Sequence, residues 1–306
     1  MIKENKERSI PLTVPKKQQK IYVENYLKAT QNSGNLFLFA ADQKIEHLNS
    51  DFYGENIPRE CNNPEHLFSI AQKGRIGAFA TQLGLIAQYG KIYNNINYVV
   101  KLNAKTNLAP TEQSEPISRA LYSVEDVVQF GSEHNLSIVG VGYTIYLGSK
   151  FETEMLREAA QIILKAHQNG LIAILWIYPR GKAVIQERHK NIIAGAAGIG
   201  AALGADFVKI NPPQASNAIE SAQLLKQATQ AAGNTGVICS GGKKISQEDL
   251  LITVYNQIRL GKSHGCAIGR NIFQNSLEEA ISLCNALALI VIDGENIETA
   301  KNVLKK

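Results

Sequence analysis

The sequence predicts a single (β/α)8 TIM barrel, an α/β fold, with a polar N-terminal arm and a short C-terminal helix. Eight apolar, β-prone segments recur along the 306 residues, and amphipathic helical segments separate most of them. The repeating part spans roughly 260 residues, which is the usual size of such a barrel. An open doubly wound sheet has the same alternation and is the alternative, because periodicity alone does not establish closure.

The predicted strands are the apolar runs that turn-forming or polar residues bound on both sides. A continuous apolar run of four to ten residues is typical of a strand buried on both faces. In chain order they occupy residues 36–41, 78–83, 98–102, 137–145, 172–178, 207–210, 236–239 and 265–269.

The predicted helices lie between these strands. Residues 152–167 place Met155, Ala159, Ile162 and Ala166 on one face and end at Asn169-Gly170, a pattern typical of an amphipathic helix. Residues 192–203, 218–231, 247–259 and 277–288 behave likewise, whereas the unit between strands 2 and 3, residues 86–97, has room only for a short helix.

We divide the chain into an arm, residues 1–34, and one barrel domain, residues 35–306. The arm is rich in Lys, Gln, Asn and Glu, with a short helix expected near residues 18–29. Residues 35–290 show no break in composition, and residues 295–306 predict a final short helix.

Composition narrows the class of protein. The net charge of +5 comes from lysines and arginines near the two ends, and no nucleic-acid-binding motif accompanies it, so we expect no nucleic-acid partner. Four cysteines lack paired spacing, and no apolar run approaches the ~18 residues of a membrane span. We therefore expect a reduced, cytoplasmic protein without a membrane partner.

Lys209 is the most informative residue, since it lies in the apolar segment Gly204-Ala-Asp-Phe-Val-Lys209-Ile. Burying an ammonium is unfavourable unless it is paired or loses its proton, and a neutral amine attacks carbonyls. The alternative is a lysine at a strand end that reaches solvent or pairs with Asp206.

Other polar residues stand at the carboxyl ends of the predicted strands, where barrel active sites form. Side chains two apart share a face of a strand, so Tyr178 accompanies Trp176 and Lys209 accompanies Phe207. A tyrosine facing the lumen is a candidate acid/base, and we expect neighbouring cations to lower its pKa from about 10. Asp42, Lys101 and Arg180 occupy comparable positions.

The last two strands predict a phosphate site. Ser240-Gly241-Gly242 follows strand 7 and Gly269-Arg270 follows strand 8. Glycines let backbone amides approach an anion, and this end of a barrel commonly binds phosphate. Arg270 can add a charge-assisted hydrogen bond. The six histidines show no metal-ligand spacing, so no metal site is expected.

These segments resemble the class I fructose-bisphosphate aldolases of the archaeal and bacterial type. The resemblance extends over residues 36–275 and is carried by seven segments in family order: Ala41-Asp-Gln-Lys-Ile-Glu-His47, Val100-Lys-Leu-Asn103, Gly142-Tyr-Thr-Ile-Tyr-Leu-Gly-Ser149, Leu175-Trp-Ile-Tyr-Pro-Arg180, Gly204-Ala-Asp-Phe-Val-Lys209, Ser240-Gly-Gly242 and Ile268-Gly-Arg270.

The resemblance implies a metal-independent lyase without a cofactor, acting through a covalent lysine imine. Lys209 is then the Schiff-base lysine, Tyr178 the acid/base and Asp42 an orienting group. Trp176, Arg180 and Lys101 bind substrate, and the phosphate ligands are Ser240, Gly241, Gly242, Gly269 and Arg270. The resemblance also implies a phosphorylated sugar as substrate and a homo-oligomer.

Two departures from the family pattern leave alternatives open. Lys44 stands where the family often has glycine. The first carboxylate after Lys209 is Glu220, in the helix region where some family members use a glutamate to help imine formation. A Schiff-base aldolase or transaldolase acting on another sugar phosphate is one alternative. The other is a sugar-phosphate-binding barrel that has lost its chemistry.

Overall fold

The computed structural model describes residues 9–46, 49–108 and 115–304, and they form a closed barrel of eight parallel strands. In chain order the strands are β1 Leu36–Ala40, β2 Ala78–Thr81, β3 Tyr98–Lys101, β4 Ile138–Leu147, β5 Ile172–Pro179, β6 Phe207–Ile210, β7 Gly236–Ser240 and β8 Gly265–Ile268.

Each strand pairs with its neighbours in the sequence, and β1 pairs with β8 through Leu36–Gly265 and Leu38–Ala267. The (β/α)8 barrel is therefore confirmed and the open sheet excluded. All eight predicted strands are present, within two residues of the expected bounds.

The helices lie between the strands or at their ends. They are α1 Gln19–Thr30, α2 Gln43–Glu46, α3 Pro64–Lys73, α4 Leu83–Tyr89, α5 Val124–Glu133, α6 Glu152–Gln168, α7 Lys190–Ala202, α8 Ala218–Ala231, α9 Gln247–Arg259, α10 Arg270–Phe273, α11 Leu277–Ala288 and α12 Ile297–Leu304. The abbreviated helix after β2 is α4, and the C-terminal helix is α12. The two-residue strands Asn103–Ala104 and Arg119–Ala120 pair beside the barrel mouth.

Apolar side chains fill the barrel in the alternation that parallel strands impose. The inner cluster is built from one face of the strands, and its members include Leu38, Ala80, Val99, Ile174, Trp176, Phe207, Ile238 and Ala267. The opposite faces pack against the surrounding helices. Lys101, Lys209 and Ser240 lie towards the carboxyl ends of their strands, the end at which barrel active sites form.

Helix α1 closes the barrel at the amino ends of the strands. Tyr22 donates a hydrogen bond to Asp206, which also accepts one from the Ala173 amide at 2.8 Å and contacts His167 Nε2 at 3.1 Å. Tyr26 stacks on Phe207 with ring centroids 5.8 Å apart. The helix expected near residues 18–29 is thus present and packed, and residues 1–8 of the predicted arm lie outside the described residues.

Candidate active site

Lys209 lies on β6 inside the barrel and is only 4% exposed. Its Nζ is 5.2 Å from the centroid of the Trp176 ring on the neighbouring strand. Burial lowers its pKa, Asp42 and Glu46 oppose this effect, and Arg270 and Arg180 add to it. The interior therefore favours the neutral, nucleophilic amine.

Asp206 is not the partner of Lys209, because it lies at the opposite end of the barrel against α1. The alternative of a strand-end lysine paired with Asp206 or extended into solvent does not apply. What the interior offers Lys209 instead is an aromatic ring and a set of charges around the mouth.

Trp176 lies near both buried lysines of the site and is 1% exposed. Lys101 Nζ lies 5.6 Å from the same ring. The indole fits because residue 142 on β4 is glycine: a Cβ there would lie 2.3 Å from Trp176 Cζ3. The indole Nε1 is buried and has no hydrogen-bond partner, so a polar ligand atom can pair with it.

Tyr178 shares the inner face of β5 with Trp176 and is partly exposed at the mouth. Its ring stacks on Tyr146 with centroids 6.5 Å apart, and Arg180 Cζ lies 4.8 Å from the Tyr178 centroid. The expected lowering of its pKa is wrong. Burial raises the pKa, Asp42 and Glu46 raise it further, and the opposing effects of Arg180 and Arg270 are smaller.

A high pKa makes Tyr178 a phenol that holds its proton at neutral pH. It can donate that proton to a strongly basic substrate atom, and it can act as a base only after it has lost the proton. Its position supports an acid/base assignment, with the acidic form as the resting state.

Asp42 follows β1 and is 1% exposed. Gln82 Nε2 donates to its backbone carbonyl at 2.9 Å, which ties the end of β1 to the end of β2. Its Oδ1 is buried without a hydrogen-bond partner, while its charge acts on both Lys209 and Tyr178. An unpaired buried carboxylate oxygen is unfavourable, and a hydroxyl of a bound ligand would satisfy it.

Lys101 is fully buried, and its Nζ donates to Glu46 Oε1 at 3.0 Å, to the Asn103 carbonyl at 2.7 Å and to Asn103 Oδ1 at 3.1 Å. These contacts use all three hydrogens of the ammonium group. The geometry therefore does not support the expected binding of substrate by Lys101. It makes Lys101 the partner of Glu46.

Glu46 is the functional candidate that sequence reasoning missed. It lies four residues after Asp42, at the end of the single turn α2, and this spacing places two side chains on one side of a helix. That spacing was the available signal. His47, the next residue of the same motif, lies outside the described residues.

The predicted phosphate ligands lie at and just after the carboxyl ends of β7 and β8, which adjoin through the pairing of Ser240 with Ala267. Gly242 has φ of +68°, a conformation that favours glycine. A Cβ on Gly269 would lie 2.6 Å from the Ala40 carbonyl. Ser240 Oγ donates to Asn211 Oδ1 at 2.6 Å.

Asn271 holds this loop and was not anticipated. Its Nδ2 donates to the carbonyls of Gly241 at 3.0 Å and Lys243 at 3.1 Å, and its Oδ1 accepts from the Ile245 amide at 2.9 Å. Arg270 lies 3.6 Å from Asp51 Oδ1 and is close enough to act on both Lys209 and Tyr178. The loop and the arginine therefore face the same mouth.

Both departures from the family pattern find structural explanations. Lys44 Nζ donates to the Asn62 carbonyl at 3.0 Å and lies 4.2 Å from the Phe52 centroid, so its charge is bound beside the mouth. Glu220 is an exposed residue in the first turn of α8, where it accepts hydrogen bonds from Ser216. Glu220 thus stabilises a helix start.

Within the described residues, no group of three or more His, Cys, Asp or Glu side chains is placed to hold a metal ion. The four cysteines are free and buried. None of the helices in the described ranges is long and apolar enough to cross a membrane. What the mouth presents is a nucleophilic amine, a phenol, two carboxylates and a glycine-rich loop with an arginine.

Comparison with protein families identifies one that matches most of the chain. Residues 36–275 match the family described as DeoC/LacD family aldolase. A protein of Methanocaldococcus jannaschii named fructose-bisphosphate aldolase/6-deoxy-5-ketofructose 1-phosphate synthase is 52% identical over 305 residues, which are 99% of this chain and 97% of that protein.

Solved structures agree with this match. A fructose-bisphosphate aldolase from Slackia heliotrinireducens has a TM-score of 0.94 and 47% identity, over 98% of this chain and 94% of that chain. An archaeal fructose-1,6-bisphosphate aldolase has a TM-score of 0.74 and 32% identity, over 89% of this chain and 99% of its own. That structure was solved with its catalytic lysine covalently bound to the carbinolamine intermediate of the substrate.

Proposed function

The chain belongs to the DeoC/LacD family of aldolases, and we propose that it cleaves and forms fructose 1,6-bisphosphate through an imine on Lys209. The observation that carries this proposal is the position of Lys209, buried inside the barrel, where burial lowers its pKa and so favours the neutral amine. A neutral amine next to a phenol and a carboxylate is the set of groups that ketose cleavage needs.

In the proposed reaction the Lys209 nitrogen adds to the ketone carbon, and the carbonyl electron pair moves to oxygen. Loss of water then gives an iminium, which accepts the electron pair of the adjacent carbon–carbon bond when that bond breaks. The hydroxyl proton on the departing half moves to a base as its carbonyl forms. The resulting enamine takes a proton on carbon, and water releases the second product.

Tyr178 is the proposed proton carrier for the carbon–carbon step. Its phenol lies on the same face of β5 as Trp176, which contacts Lys209. Burial and Asp42 raise its pKa, so its phenolate is a strong base for the hydroxyl proton of the departing half, and the phenol formed in that step is the acid that protonates the enamine carbon. Asp42 is proposed to orient a substrate hydroxyl with its unpaired oxygen.

The phosphates define the two ends of the substrate. We propose that Ser240, Gly241, Gly242, Gly269 and Arg270 hold the phosphate nearest the ketone, on the β7–β8 side of the mouth. Arg180 lies on the other side, over Tyr178, and Lys105 Nζ lies 6.0 Å from the centroid of Tyr146. Two cations above the stacked tyrosines favour a second anionic group at the far end.

A second candidate activity follows from the name of the Methanocaldococcus relative, which includes 6-deoxy-5-ketofructose 1-phosphate synthesis. By its name this product carries one phosphate, so its far end is neutral. The same imine chemistry would serve both reactions, and the role of Arg180 distinguishes them. We favour the bisphosphate because two cations face that end.

Borohydride reduction followed by mass spectrometry tests the proposal. Wild-type protein incubated with fructose 1,6-bisphosphate or dihydroxyacetone phosphate should acquire a stable adduct on Lys209, and Lys209→Met should acquire none and lose cleavage. Wild-type protein that acquires no adduct, or a Lys209→Met variant that still cleaves the substrate, would refute the proposal. Arg180→Met should raise KM for the bisphosphate more than for ketose monophosphates, and equal effects would favour the second activity.

A further inference from the structure

Formation of the imine needs an acid that the assignments above leave open. The hydroxyl of the carbinolamine departs as water only after it receives a proton. Glu220, the first carboxylate after Lys209 in the sequence, is exposed and accepts hydrogen bonds from Ser216 at the start of α8. The acid must therefore come from another element of the mouth.

Glu46 carries a carboxyl group held inside that mouth. Its side chain is 13% exposed, and its backbone carbonyl accepts a hydrogen bond from Asn107 Nδ2 at 2.7 Å. Its Oε1 accepts a hydrogen bond from Lys101 Nζ at 3.0 Å. A side chain fixed at both its backbone and its carboxylate is positioned for one geometry.

Lys101, the last residue of β3, is in turn fixed by Asn103 in the short strand that follows. Its remaining two hydrogens go to the carbonyl and the Oδ1 of Asn103. The Asn103 side chain also accepts from the Thr144 amide at 2.7 Å and donates to the Thr144 carbonyl at 2.9 Å. This network links Glu46 to Thr144 on β4, and Thr144 is the residue that pairs with Trp176 on β5.

Glu46 acts on the reacting groups as well as on Lys101. When it is ionised, Glu46 raises the pKa of Lys209 and of Tyr178, although burial and Asp42 have larger effects on both groups. Burial raises the pKa of Glu46 itself, and Lys101 opposes that rise. A carboxyl group whose pKa is raised keeps its proton to higher pH than one exposed to water, and a general acid needs its protonated form.

We propose that Glu46 donates the proton with which the carbinolamine hydroxyl leaves as water, and that Lys101 is its positioning residue. In this step the carbon–oxygen bond breaks, the nitrogen lone pair forms the carbon–nitrogen double bond, and Glu46 becomes a carboxylate. The proton returns when water adds to the product iminium, because Glu46 then accepts one from the attacking water. The inference rests on the proposed Schiff-base function of Lys209.

The test separates the steps before and after water loss. Glu46→Gln keeps the size of the side chain and removes the acid, and Glu220→Gln is the matched control. With dihydroxyacetone phosphate, wild type and Glu220→Gln should form the reducible imine at equal rates. Glu46→Gln should form it about 10²–10⁴-fold more slowly, the usual contribution of a general acid. Mass spectrometry without borohydride should then find an adduct heavier than the imine by one water molecule.

A second variant guards against loss of folding, since Glu46→Gln leaves Lys101 without its carboxylate. Glu46→Gln combined with Lys101→Met removes both charges, and circular dichroism checks that it is folded. It should show the same slow water loss. Imine formation at the wild-type rate in either folded variant would overturn the inference while leaving Lys209 in place. A wild type that forms no adduct would instead refute the proposed function.

Discussion

Replacing Gly142 by alanine should displace the only tryptophan of the protein from the two buried lysines. The new Cβ would lie 2.3 Å from Trp176 Cζ3 and 2.6 Å from Cη2. Carbon atoms pack at about 3.5–4.0 Å, so the ring must move by roughly 1 Å. Trp176 is itself 1% exposed, so a displaced ring must move against buried neighbours.

The expected effect on stability is moderate. Overpacking of a filled interior usually costs about 1–3 kcal/mol, and each kcal/mol lowers Tm by about 2–4 °C in a protein of this size or somewhat smaller. The effect on catalysis should be larger, because a misplacement of ~1 Å at an active site can reduce the rate ~10²-fold. Trp176 contacts Lys209 at 5.2 Å and Lys101 at 5.6 Å, so both are affected.

Fluorescence measures the displacement directly, since the sequence has one tryptophan. Gly142→Ala should shift the emission spectrum and lower kcat/KM in a coupled aldolase assay. Gly195→Ala is the control, because Gly195 lies on the exposed side of α7 and a Cβ there meets nothing within 4 Å. Adding Trp176→Phe to Gly142→Ala should recover Tm. A Gly142→Ala variant with unchanged emission, Tm and activity would refute the packing argument.

Three further predictions concern the charges and the loop. Because burial lowers the pKa of Lys209 and Asp42 opposes this, adduct formation should decline as pH falls through a midpoint below the usual ~10.4. Asp42→Asn should move that midpoint to lower pH in borohydride trapping, and a move to higher pH would contradict the electrostatics. Asn271→Asp places a negative charge beside the carbonyls of Gly241 and Lys243, to which Asn271 donates hydrogen bonds. The KM for phosphorylated substrates should therefore rise more than tenfold, while Lys209 still forms an adduct with a neutral ketone. An unchanged KM would show that the loop does not bind phosphate. Asp206→Ala leaves Tyr22 and His167 without their buried carboxylate, which should lower the free energy of unfolding by about 3–5 kcal/mol in urea with kcat nearly unchanged, and an equal loss of kcat would show that α1 acts on catalysis.

The sequence predicted the barrel because its alternation of apolar and amphipathic segments is regular over eight units. Helices α8, α9 and α11 begin and end at the predicted residues. The hydrophobic pattern did not predict α3 or α5, because polar residues interrupt the apolar faces of both helices. Nor could it show that α1 packs on Phe207, because that contact joins residues far apart in the chain.

The sequence predicted which side chains of the candidate site face the barrel interior, because alternate residues of a strand share a face. Parity placed Tyr178 and Lys209 on inner faces, where the structure has them. It gave no information about which carboxylate lies beside which cation. For that reason the sequence suggested a lowered pKa for Tyr178 and a Lys101 free to bind substrate. In the structure, burial and Asp42 raise the pKa of Tyr178, and Lys101 donates a hydrogen bond to Glu46.

The pairing of β1 with β8 also has a consequence for biosynthesis. The partner of Leu36 is Gly265, so the first strand leaves the ribosome long before the last one exists. Until then both margins of the growing sheet present unpaired amides and carbonyls, which attract other unfolded chains. Pairing of β1 with β8 is also slow, because these two strands are separated by most of the chain. Release of the finished polypeptide is therefore the moment at which this protein most needs protection from aggregation.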